Sequence, residues 1–367
     1  MPASRRGRTP HVLIDGYFLG KPYGFGRFIF ELCRALGRAP TDLTLTVAVP
    51  ARVAAADLPP HGRIAWHRLP DANFIVWEQV TIPRLARRLA CDVIHFPYNT
   101  RALFIGATRS VTTVHDLLFL TQAAPRGNFK DFVHATYSRW TFAHATRKAD
   151  AIVSVSRTTA ASLAALGLPS TTIYNTVDGF LELRSPGAPA RDRTYLLHRG
   201  GYLAHRNTGR VIAAFRQARR SLPHVELRVI GAPRGAEVWG TQGDPAIRFL
   251  PRVSDAELAD LYACSAGVVA ASIEEGFGLP IVEGFGFGTP VITSRVNPMM
   301  EIAGDAALLV DPCDVAAIAA AMVTLLTDDA HAAALVAKGR ARMSLFSSAR
   351  VAEHLLSIYE ACAARDR

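Results

Sequence analysis

Short apolar runs separated by amphipathic stretches dominate the chain. The apolar runs have the length and composition of buried parallel strands, and they lie at 11–15, 43–49, 92–97, 110–116, 149–156, 195–198, 225–230, 247–250, 267–271 and 290–293. Apolar residues at helical spacing predict helices between them, including 23–36, 84–89, 128–148, 209–220, 254–262, 280–288 and 348–363. Ser254 and Glu257 predict a capping box at the start of one helix. Strands that alternate with helices are typical of parallel α/β sheets.

The predicted helix at 128–148 carries a stripe of large apolar residues. Phe129, Phe132, Val133, Trp140 and Ala143 recur there at helical spacing. The simplest interpretation is a helix face that packs into a core. The alternative is a face that meets a membrane surface.

Two glycine-rich turns each join a predicted strand to a predicted helix. They are Tyr23-Gly-Phe-Gly26, after the first strand, and Glu275-Gly-Phe-Gly278, after the strand at 267–271. Glycine lets the backbone approach a ligand closely, and the N–H groups and dipole of a helix start favour negative charge. Both turns are therefore candidate phosphate sites, although a glycine turn alone is a weak signal.

A dinucleotide-binding fold is one alternative for the first turn. Its fingerprint needs a third glycine near position 29 and an acidic residue after the second strand. The chain has Ile29 at the first of these positions, and its second strand ends in Pro50-Ala51-Arg52. An NAD-dependent dehydrogenase is therefore disfavoured.

Two acidic residues, Glu275 and Glu283, frame the second turn. The peptide between them spans roughly 10 Å at about 1.5 Å per helical residue plus the loop. A diphosphate with a sugar at each end has a similar length, so one carboxylate could hold ribose hydroxyls and the other a transferred sugar. The simpler alternative is a Rossmann-type helix start with two solvated acids.

The stretch from 272 to 312 is more specific than the turn alone. Glu275-Gly-Phe-Gly-Leu-Pro280 followed by Glu283, and Gly304-Asp-Ala-Ala-Leu-Leu-Val-Asp-Pro312, resemble the nucleotide-binding half of retaining glycosyltransferases of family 4. Val114-His-Asp116 and Ile173-Tyr-Asn-Thr-Val-Asp178 match further segments of that family, the latter with Thr176 in place of a glycine. The resemblance runs from Gly24 to about Tyr359.

This resemblance implies the GT-B fold, an α/β architecture of two Rossmann-like domains whose parallel sheets face each other across a cleft. The first domain would span 1–184 on the acceptor side. The second would span 192–346 and bind the nucleotide sugar, after a linker at about 182–193. The final helix, within 347–367, would cross back and complete the first domain.

The resemblance also implies roles for residues of the second domain. Glu283 would accept hydrogen bonds from ribose hydroxyls, and Glu275 would hold the transferred sugar. The donor diphosphate would meet the family's two cationic positions and the glycine turn, here His205, Arg206, Gly276, Phe277, Gly278 and Leu279. Because histidine is mostly neutral at pH 7, we expect Arg206 to provide most of the phosphate stabilisation.

In the first domain the resemblance implies two further contacts. Gly24 and Gly26 would face the donor phosphates and the acceptor. His115 would contact the transferred sugar from the carboxyl end of its strand, which is where ligands bind in open α/β sheets. Outside this family, a lone histidine at such a position is more often structural. The expected catalytic residues are thus His115, Glu275 and Arg206.

The chain departs from the family in the helix after the second turn. The usual Ala-Met-Ala is Gly284-Phe-Gly286, followed by Phe287. Each such glycine costs a helix about 1 kcal/mol relative to alanine. We therefore expect a helix start that is looser, or that packs closer to its ligand.

Composition limits the class of protein. The 367 residues, half of them apolar, suffice for two α/β domains. Five scattered cysteines favour a reducing compartment and disfavour a disulfide framework or a zinc site. No apolar segment follows the basic N-terminal cluster and no run of about 18 apolar residues occurs, so neither a signal peptide nor a spanning helix is expected.

The net charge of +10 comes mostly from arginine. A basic surface can attract phosphates, nucleic acid or anionic membranes, but genome composition can produce the same bias. Nucleic acid is not an expected partner, because the arginines are dispersed and no known nucleic-acid motif occurs. Arg84, Arg87 and Arg88, together with the N-terminal arginines, are candidates for contact with anionic lipid. A solvated helix face is the alternative.

Together these features predict a hexosyltransferase. It would move a hexose, with retention of configuration, from a nucleotide sugar to a glycan or lipid-linked acceptor in bacterial surface polysaccharide or glycolipid synthesis. No cofactor and no metal are expected, and the predicted location is cytoplasmic or peripheral at the inner face of the cell membrane. The alternatives are a nucleotide-sugar epimerase of the same fold and a catalytically inactive sugar-nucleotide-binding protein.

Overall fold

The computed structural model describes residues 8–21, 24–59, 62–121, 129–185, 194–251 and 253–365. The chain divides into two compact units, Met1–Thr176 with Ser348–Arg367 and Val177–Ser347. Most of the predicted linker, the arginines before Arg8, and Tyr23 of the first glycine turn lie outside the described residues.

The first unit is built on a parallel seven-stranded sheet. Its strands are β1 (His11–Asp15), β2 (Thr44–Pro50), β3 (Ile64–Leu69), β4 (Val93–Phe96), β5 (Arg109–Val114), β6 (Ala151–Ser154) and β7 (Thr171–Thr172). Their order in the sheet is β3-β2-β1-β4-β5-β6-β7. The direction of winding therefore reverses between β1 and β4.

The second unit is built on a parallel six-stranded sheet. Its strands are β8 (Tyr195–Arg199), β9 (Glu226–Ile230), β10 (Ile247–Leu250), β11 (Gly267–Ala270), β12 (Val291–Ser294) and β13 (Leu308–Val310). They are arranged in the order β10-β9-β8-β11-β12-β13, so the winding reverses between β8 and β11. Ligands bind at such reversals in open α/β sheets, outside the carboxyl ends of the strands.

Helices connect these strands throughout the described residues. They are α1 (Gly24–Arg38), α2 (Phe74–Val76), α3 (Ile82–Arg88), α4 (Leu118–Thr121), α5 (Phe129–His144), α6 (Arg157–Ala165), α7 (Asp178–Leu181), α8 (Thr208–Ala218), α9 (Gly235–Val238), α10 (Asp255–Cys264), α11 (Leu279–Gly286), α12 (Met299–Ala303), α13 (Val315–Thr327), α14 (Asp329–Arg342) and α15 (Ser348–Ala364). A π-helical turn, Trp77–Thr81, joins α2 to α3.

Local capping signals account for several helix starts. The predicted capping box at Ser254 and Glu257 is present at α10. At α6 the Ser156 hydroxyl accepts a hydrogen bond from the backbone N–H of Thr159. These side chains satisfy N–H groups that have no partner within their own helix.

The final helix, α15, packs into the core of the first unit. Val351, Leu355 and Tyr359 are buried in its apolar cluster. The Tyr359 hydroxyl also lies 2.7 Å from Nδ1 of His95, which is fully buried on β4. Helix α15 therefore belongs to the first unit, although the rest of that unit precedes residue 177.

The predicted core stripe on α5 is wrong for two of its largest side chains. Phe132 is 54% exposed and Trp140 is 47% exposed. The buried face instead carries Ser138, Thr141 and Phe142. Thr141 can be buried because its hydroxyl donates to backbone carbonyl oxygens one turn earlier. The side chain of Phe129, another member of the stripe, lies outside the described part of the structure.

Among the described residues, no single helix combines the length and apolar character needed to cross a membrane. A bent combination, Val315–Thr327 with Asp329–Ala364, meets the same length and composition criteria, but its two parts diverge by 97°.

Candidate functional site

The candidate site of the second unit lies at the carboxyl ends of β8 and β11. These neighbouring strands are followed by the segments 200–207 and 271–278, where the winding of the sheet reverses. Gly201 and Gly278 adopt positive φ angles of 140° and 102° there. Both conformations favour glycine, which explains why each segment needs one in order to turn.

The segment after β8 is fixed to the one after β11 by hydrogen bonds. The Asn207 side chain donates to the carbonyl oxygens of Ala271 and Pro312 at 2.9 and 2.6 Å. The backbone N–H of Ile273 donates to the carbonyl oxygen of His205 at 2.8 Å. Asn207 is left-handed, with φ 60°, a conformation that asparagine tolerates better than most residues. The cationic segment is thus held beside the acidic turn.

Arg206 and Glu275, both expected to be catalytic, form an ion pair. Nη1 of Arg206 lies 2.5 Å from Oε1 of Glu275, and the Ser272 hydroxyl donates to the same oxygen at 3.0 Å. The Arg206 side chain is 31% exposed and the Glu275 side chain 14%. Because neither group is fully enclosed, each retains surface through which a ligand can be bound.

His205 lies next to this pair in a partly buried position. Burial and the positive charge of Arg206 lower the pKa of His205 from its usual value, while Glu275 and Glu274 oppose that shift. In the protein without a bound anion, His205 is therefore neutral near pH 7.

The glycine turn leads directly into α11. Gly278 is the N-cap residue, Leu279 is the first helical residue, and Pro280 lies in the first turn, where a missing N–H is tolerated. Phe277 is only 4% exposed and its ring packs edge-on against Phe346. Phe277 therefore anchors the turn in the core.

The glycines Gly284 and Gly286 of α11 have a packing explanation. A Cβ atom at Gly284 would lie 2.6 Å from a methyl group of Val291 on β12. One at Gly286 would lie 2.5 Å from a methyl group of Leu181 in α7. At these two glycines, helix α11 therefore packs closely against other parts of the protein and not against a ligand. The helix ends at Gly286, two residues earlier than predicted.

Glu283 is enclosed in the structure rather than open to a ligand. Its side chain has no exposed surface, and both carboxylate oxygens lie within 2.9 Å of Nη1 of Arg199. Arg199 is the last residue of β8, and its side chain is 29% exposed. Burial disfavours the charged form of Arg199, but Glu283 outweighs this and raises its pKa. The ribose contact expected of Glu283 remains a prediction, and Arg199 occupies the carboxylate to which the ribose would bind.

Arg199 was not among the residues that the sequence predicted for the site. The only local signal was a charged residue at the end of the apolar run Tyr195-Leu-Leu-His198. Its partner lies 84 positions away in the chain. The pair could therefore be recognised only after β8 and β11 were placed side by side.

In the first unit, the first glycine turn is part of a helix. Helix α1 begins at Gly24, as the predicted helix at 23–36 implies, and Gly24 and Gly26 lie in its first turn. A Cβ atom at Gly26 would lie 2.2 Å from the carbonyl oxygen of Lys21 and 2.7 Å from that of Phe18, whereas one at Gly24 would meet open space. Gly26 is therefore required by packing, and Gly24 is the glycine that leaves room for a ligand.

His115 follows the end of β5 in a half-buried position. Its backbone N–H donates to the Asn99 side chain at 2.7 Å, and its Nε2 lies 3.1 Å from the Pro97 carbonyl oxygen. The rings of Phe25 and Phe28 contact the imidazole edge to face. Burial lowers the pKa of His115 to about 4. The neutral ring must donate from Nε2 to the carbonyl, which leaves Nδ1 as a hydrogen-bond acceptor.

The winding reversal of the first unit is occupied by its own side chains. Asp15, at the end of β1, is fully buried and accepts hydrogen bonds from Trp77 Nε1 at 2.7 Å and from the Tyr98 hydroxyl. Burial raises the pKa of Asp15 to about 6, against the effect of those hydrogen bonds. This acid therefore supports the strand ends structurally.

The described residues contain no cluster of three or more His, Cys, Asp or Glu side chains that could hold a metal ion. The cysteines at 33, 91, 264, 313 and 362 are all free thiols.

The two units match two family models of glycosyltransferases. Residues 22–179 match Glycosyltransferase Family 4, and residues 193–328 match Glycosyl transferases group 1. Together the two models cover more than half of the chain. The chain therefore belongs to this family of glycosyltransferases, as the sequence resemblance predicted.

Individual known proteins agree with this assignment. O-antigen chain mannosyltransferase B of Escherichia coli is 40% identical over 114 residues, which are 31% of this chain and 30% of that protein. The chain thus spans less than two thirds of the length of this curated relative.

Solved structures show the fold. Sucrose-phosphate synthase from Thermosynechococcus elongatus matches with a TM-score of 0.71 at 19% identity, over 96% of this chain and 99% of that one. Anabaena Alr3699/HepE in complex with UDP and glucose matches with a TM-score of 0.70 at 17% identity, over 96% and 100%. The chain has the GT-B fold of these proteins, which confirms the predicted fold class.

Proposed function

We propose that the chain is a retaining hexosyltransferase that uses a nucleotide-sugar donor and a glycan or lipid-linked saccharide acceptor. The observation that carries the proposal is the pairing of Arg206 with Glu275 beside the Gly278 turn, at the winding reversal of the second sheet. That edge combines a cation for phosphate, a carboxylate for sugar hydroxyls and the start of a helix.

The family supports this chemistry. The Escherichia coli relative is named a mannosyltransferase, and the Anabaena structure holds UDP and glucose. An epimerase or an inactive binding protein would also bind a nucleotide sugar, but neither is favoured by these relatives.

In the proposed reaction the bond between the anomeric carbon and the diphosphate oxygen breaks. An acceptor hydroxyl oxygen bonds to the same carbon from the same face, and its proton passes to the departing diphosphate. Negative charge grows on the diphosphate as it leaves. Arg206, the N–H groups around Gly276 and Gly278, and those at the start of α1 near Gly24 stabilise that charge.

Two residues are assigned to the transferred sugar. Glu275 accepts hydrogen bonds from sugar hydroxyls while Arg206 moves part of its interaction to the phosphates. His115, neutral at physiological pH because its pKa is about 4, accepts a sugar hydroxyl at Nδ1 and does not serve as an acid. The proposed reaction requires no metal or cofactor, because a diphosphate is already a stable anion when it leaves.

The proposed setting is the synthesis of a bacterial surface polysaccharide or glycolipid. The donor would then be drawn from the cytoplasm, with the enzyme there or peripheral at the inner face of the membrane. The exposed arginines Arg84, Arg87 and Arg88 of α3 support a contact with anionic lipid.

A product assay tests the proposal. The protein is incubated with UDP-, GDP-, ADP- and dTDP-hexoses and saccharide acceptors, and hexose transfer is followed by mass spectrometry and the anomeric configuration by NMR. Transfer with retention is expected with at least one donor. Glu275→Ala and His115→Ala should each lose most of kcat while still binding the nucleoside diphosphate, because their contacts strengthen in the transition state.

Three outcomes would contradict the proposal. A donor epimerised without acceptor would indicate an epimerase, and an inverted product would exclude retention. Donor binding without any turnover across the donor and acceptor panel would indicate an inactive binding protein.

A further inference from the structure

Arg199 and Glu283 form a buried ion pair at the edge where the nucleotide is proposed to bind. Arg199 ends β8 immediately before the turn at Gly200 and Gly201, and Glu283 lies in α11 after the Gly278 turn. The two turns flank the winding reversal between β8 and β11.

The two members of the pair differ in their access to a ligand. The Glu283 side chain is 0% exposed, and both of its oxygens are within 2.9 Å of one Arg199 nitrogen. The Arg199 side chain is 29% exposed, and the ion pair occupies one of its three guanidinium nitrogens. An incoming nucleotide therefore reaches Arg199 before it can reach Glu283.

A site that presents Arg199 instead of Glu283 to the nucleotide recognises different ligand groups. A carboxylate accepts hydrogen bonds from ribose hydroxyls, whereas a guanidinium only donates them. A site faced by Arg199 binds oxygens that accept hydrogen bonds, either those of the diphosphate or the ribose oxygens acting as acceptors. Glu283, in turn, holds the guanidinium in place and offsets part of its charge.

From this geometry we propose that Arg199 is a binding contact for an oxygen of the donor nucleotide and that Glu283 is its buried positioning residue. This inference rests on the proposed use of a nucleotide-sugar donor. It replaces the direct contact between Glu283 and ribose by a contact between Arg199 and a nucleotide oxygen.

Calorimetry with matched nucleotides tests the inference. The probes are UDP, GDP and ADP with their 2′-deoxy analogues, and the pair that binds most tightly is used. Arg199→Gln should weaken binding by about tenfold or more, the effect of removing a charged hydrogen-bond donor. If Arg199→Gln loses the same affinity for the ribose and the deoxyribose nucleotides, Arg199 contacts a phosphate oxygen. If the wild type prefers the ribose nucleotide and Arg199→Gln abolishes that preference, Arg199 contacts a ribose oxygen.

A second variant serves as a control for misfolding, because removal of Arg199 alone leaves the buried charge of Glu283 unpaired. In Arg199→Met/Glu283→Gln both charges are removed together, and its thermal transition should stay cooperative. Its nucleotide affinity should match that of Arg199→Gln. Lys338→Ala, which removes an exposed ion pair with Asp305 on the same unit, is the control and should bind as the wild type does.

Specific results would overturn the inference. If either Arg199 variant is folded and binds nucleotide within twofold of the wild type, Arg199 is not a contact. If Arg199→Gln leaves both the nucleotide affinity and a preference for ribose unchanged, the contact would return to Glu283. If the wild-type protein binds none of the nucleoside diphosphates, the proposed function fails together with the inference, whereas binding that is independent of Arg199 overturns the inference alone.

Discussion

Replacement of Arg206 by alanine should harm turnover more than donor binding. In the free protein Arg206 is paired with Glu275 at 2.5 Å, with side chains 31% and 14% exposed. A partly exposed ion pair of this kind contributes about 1 kcal/mol at most. A diphosphate can therefore draw Arg206 away from Glu275 at little cost.

The expected magnitudes follow from this competition. A hydrogen bond from arginine to a phosphate contributes about 1.5–3 kcal/mol. After subtraction of about 1 kcal/mol for the weakened pair with Glu275, Arg206→Ala should weaken binding of the nucleoside diphosphate by about 0.5–2 kcal/mol, or roughly 2–30-fold. Charge on the leaving diphosphate grows in the transition state, so kcat/KM should fall by about 10²–10³-fold, as for removal of an oxyanion-hole donor.

The assay combines calorimetry with the nucleoside diphosphate and steady-state kinetics with the productive donor. Arg206→Lys should lie between the wild type and Arg206→Ala, because it retains the charge but loses the planar fork. His205→Ala should lose less than Arg206→Ala, since His205 is neutral in the free protein. Lys338→Ala, at an exposed pair elsewhere on the same unit, is the control for surface charge.

Two results would refute this reasoning. If kcat/KM of Arg206→Ala stays within twofold of the wild type, Arg206 is not a phosphate ligand. If Kd rises as much as kcat/KM falls, the contact stabilises ground state and transition state equally, and the transition-state role is wrong.

Two further predictions concern pH and membranes. Phosphate should raise the pKa of His205, which burial and Arg206 lower in the free protein. The complex then holds the proton more tightly, and donor affinity should rise as the pH falls through the pKa of His205 in the complex. His205→Ala should flatten that rise, and parallel calorimetric profiles for the variant and the wild type would show that His205 is only a spacer. The exposed Arg84, Arg87 and Arg88 of α3 should promote flotation with anionic liposomes at low salt, at roughly 1 kcal/mol per basic residue. Flotation that the triple Arg→Gln variant leaves unchanged, or that is absent in the wild type, would exclude this anchor.

Local sequence determined most of the elements. The apolar run 267–271, the Glu275-Gly-Phe-Gly278 turn and the following helix all appear where their residues predict them. So does the capping box at Ser254 and Glu257. These features depend on residues within a few positions of one another, and hydrophobic periodicity and capping preferences report such short-range order directly.

The glycines of the first turn show where local reasoning stops. The predicted helix at 23–36 forms as α1, with Gly24 and Gly26 in its first turn. The reason for Gly26 is the close approach of the carbonyl oxygens of Lys21 and Phe18. Gly284 and Gly286 are explained in the same way, by Val291 and Leu181 and not by a ligand. A glycine pattern shows that something approaches closely but does not identify what.

The environment of the charged groups was decided by tertiary structure alone. Glu283 appeared in the sequence as an acid available to ribose, yet it is buried against Arg199, 84 positions earlier in the chain. The large apolar side chains Phe132 and Trp140 of α5 are exposed, while Thr141 is buried. Which face of a helix is covered and which charges are paired depend on the elements that the fold places beside them, and these partners are distant in sequence. The residue types at the site could thus be predicted from the chain itself, but their partners and exposure followed only from the packing of the sheets and helices.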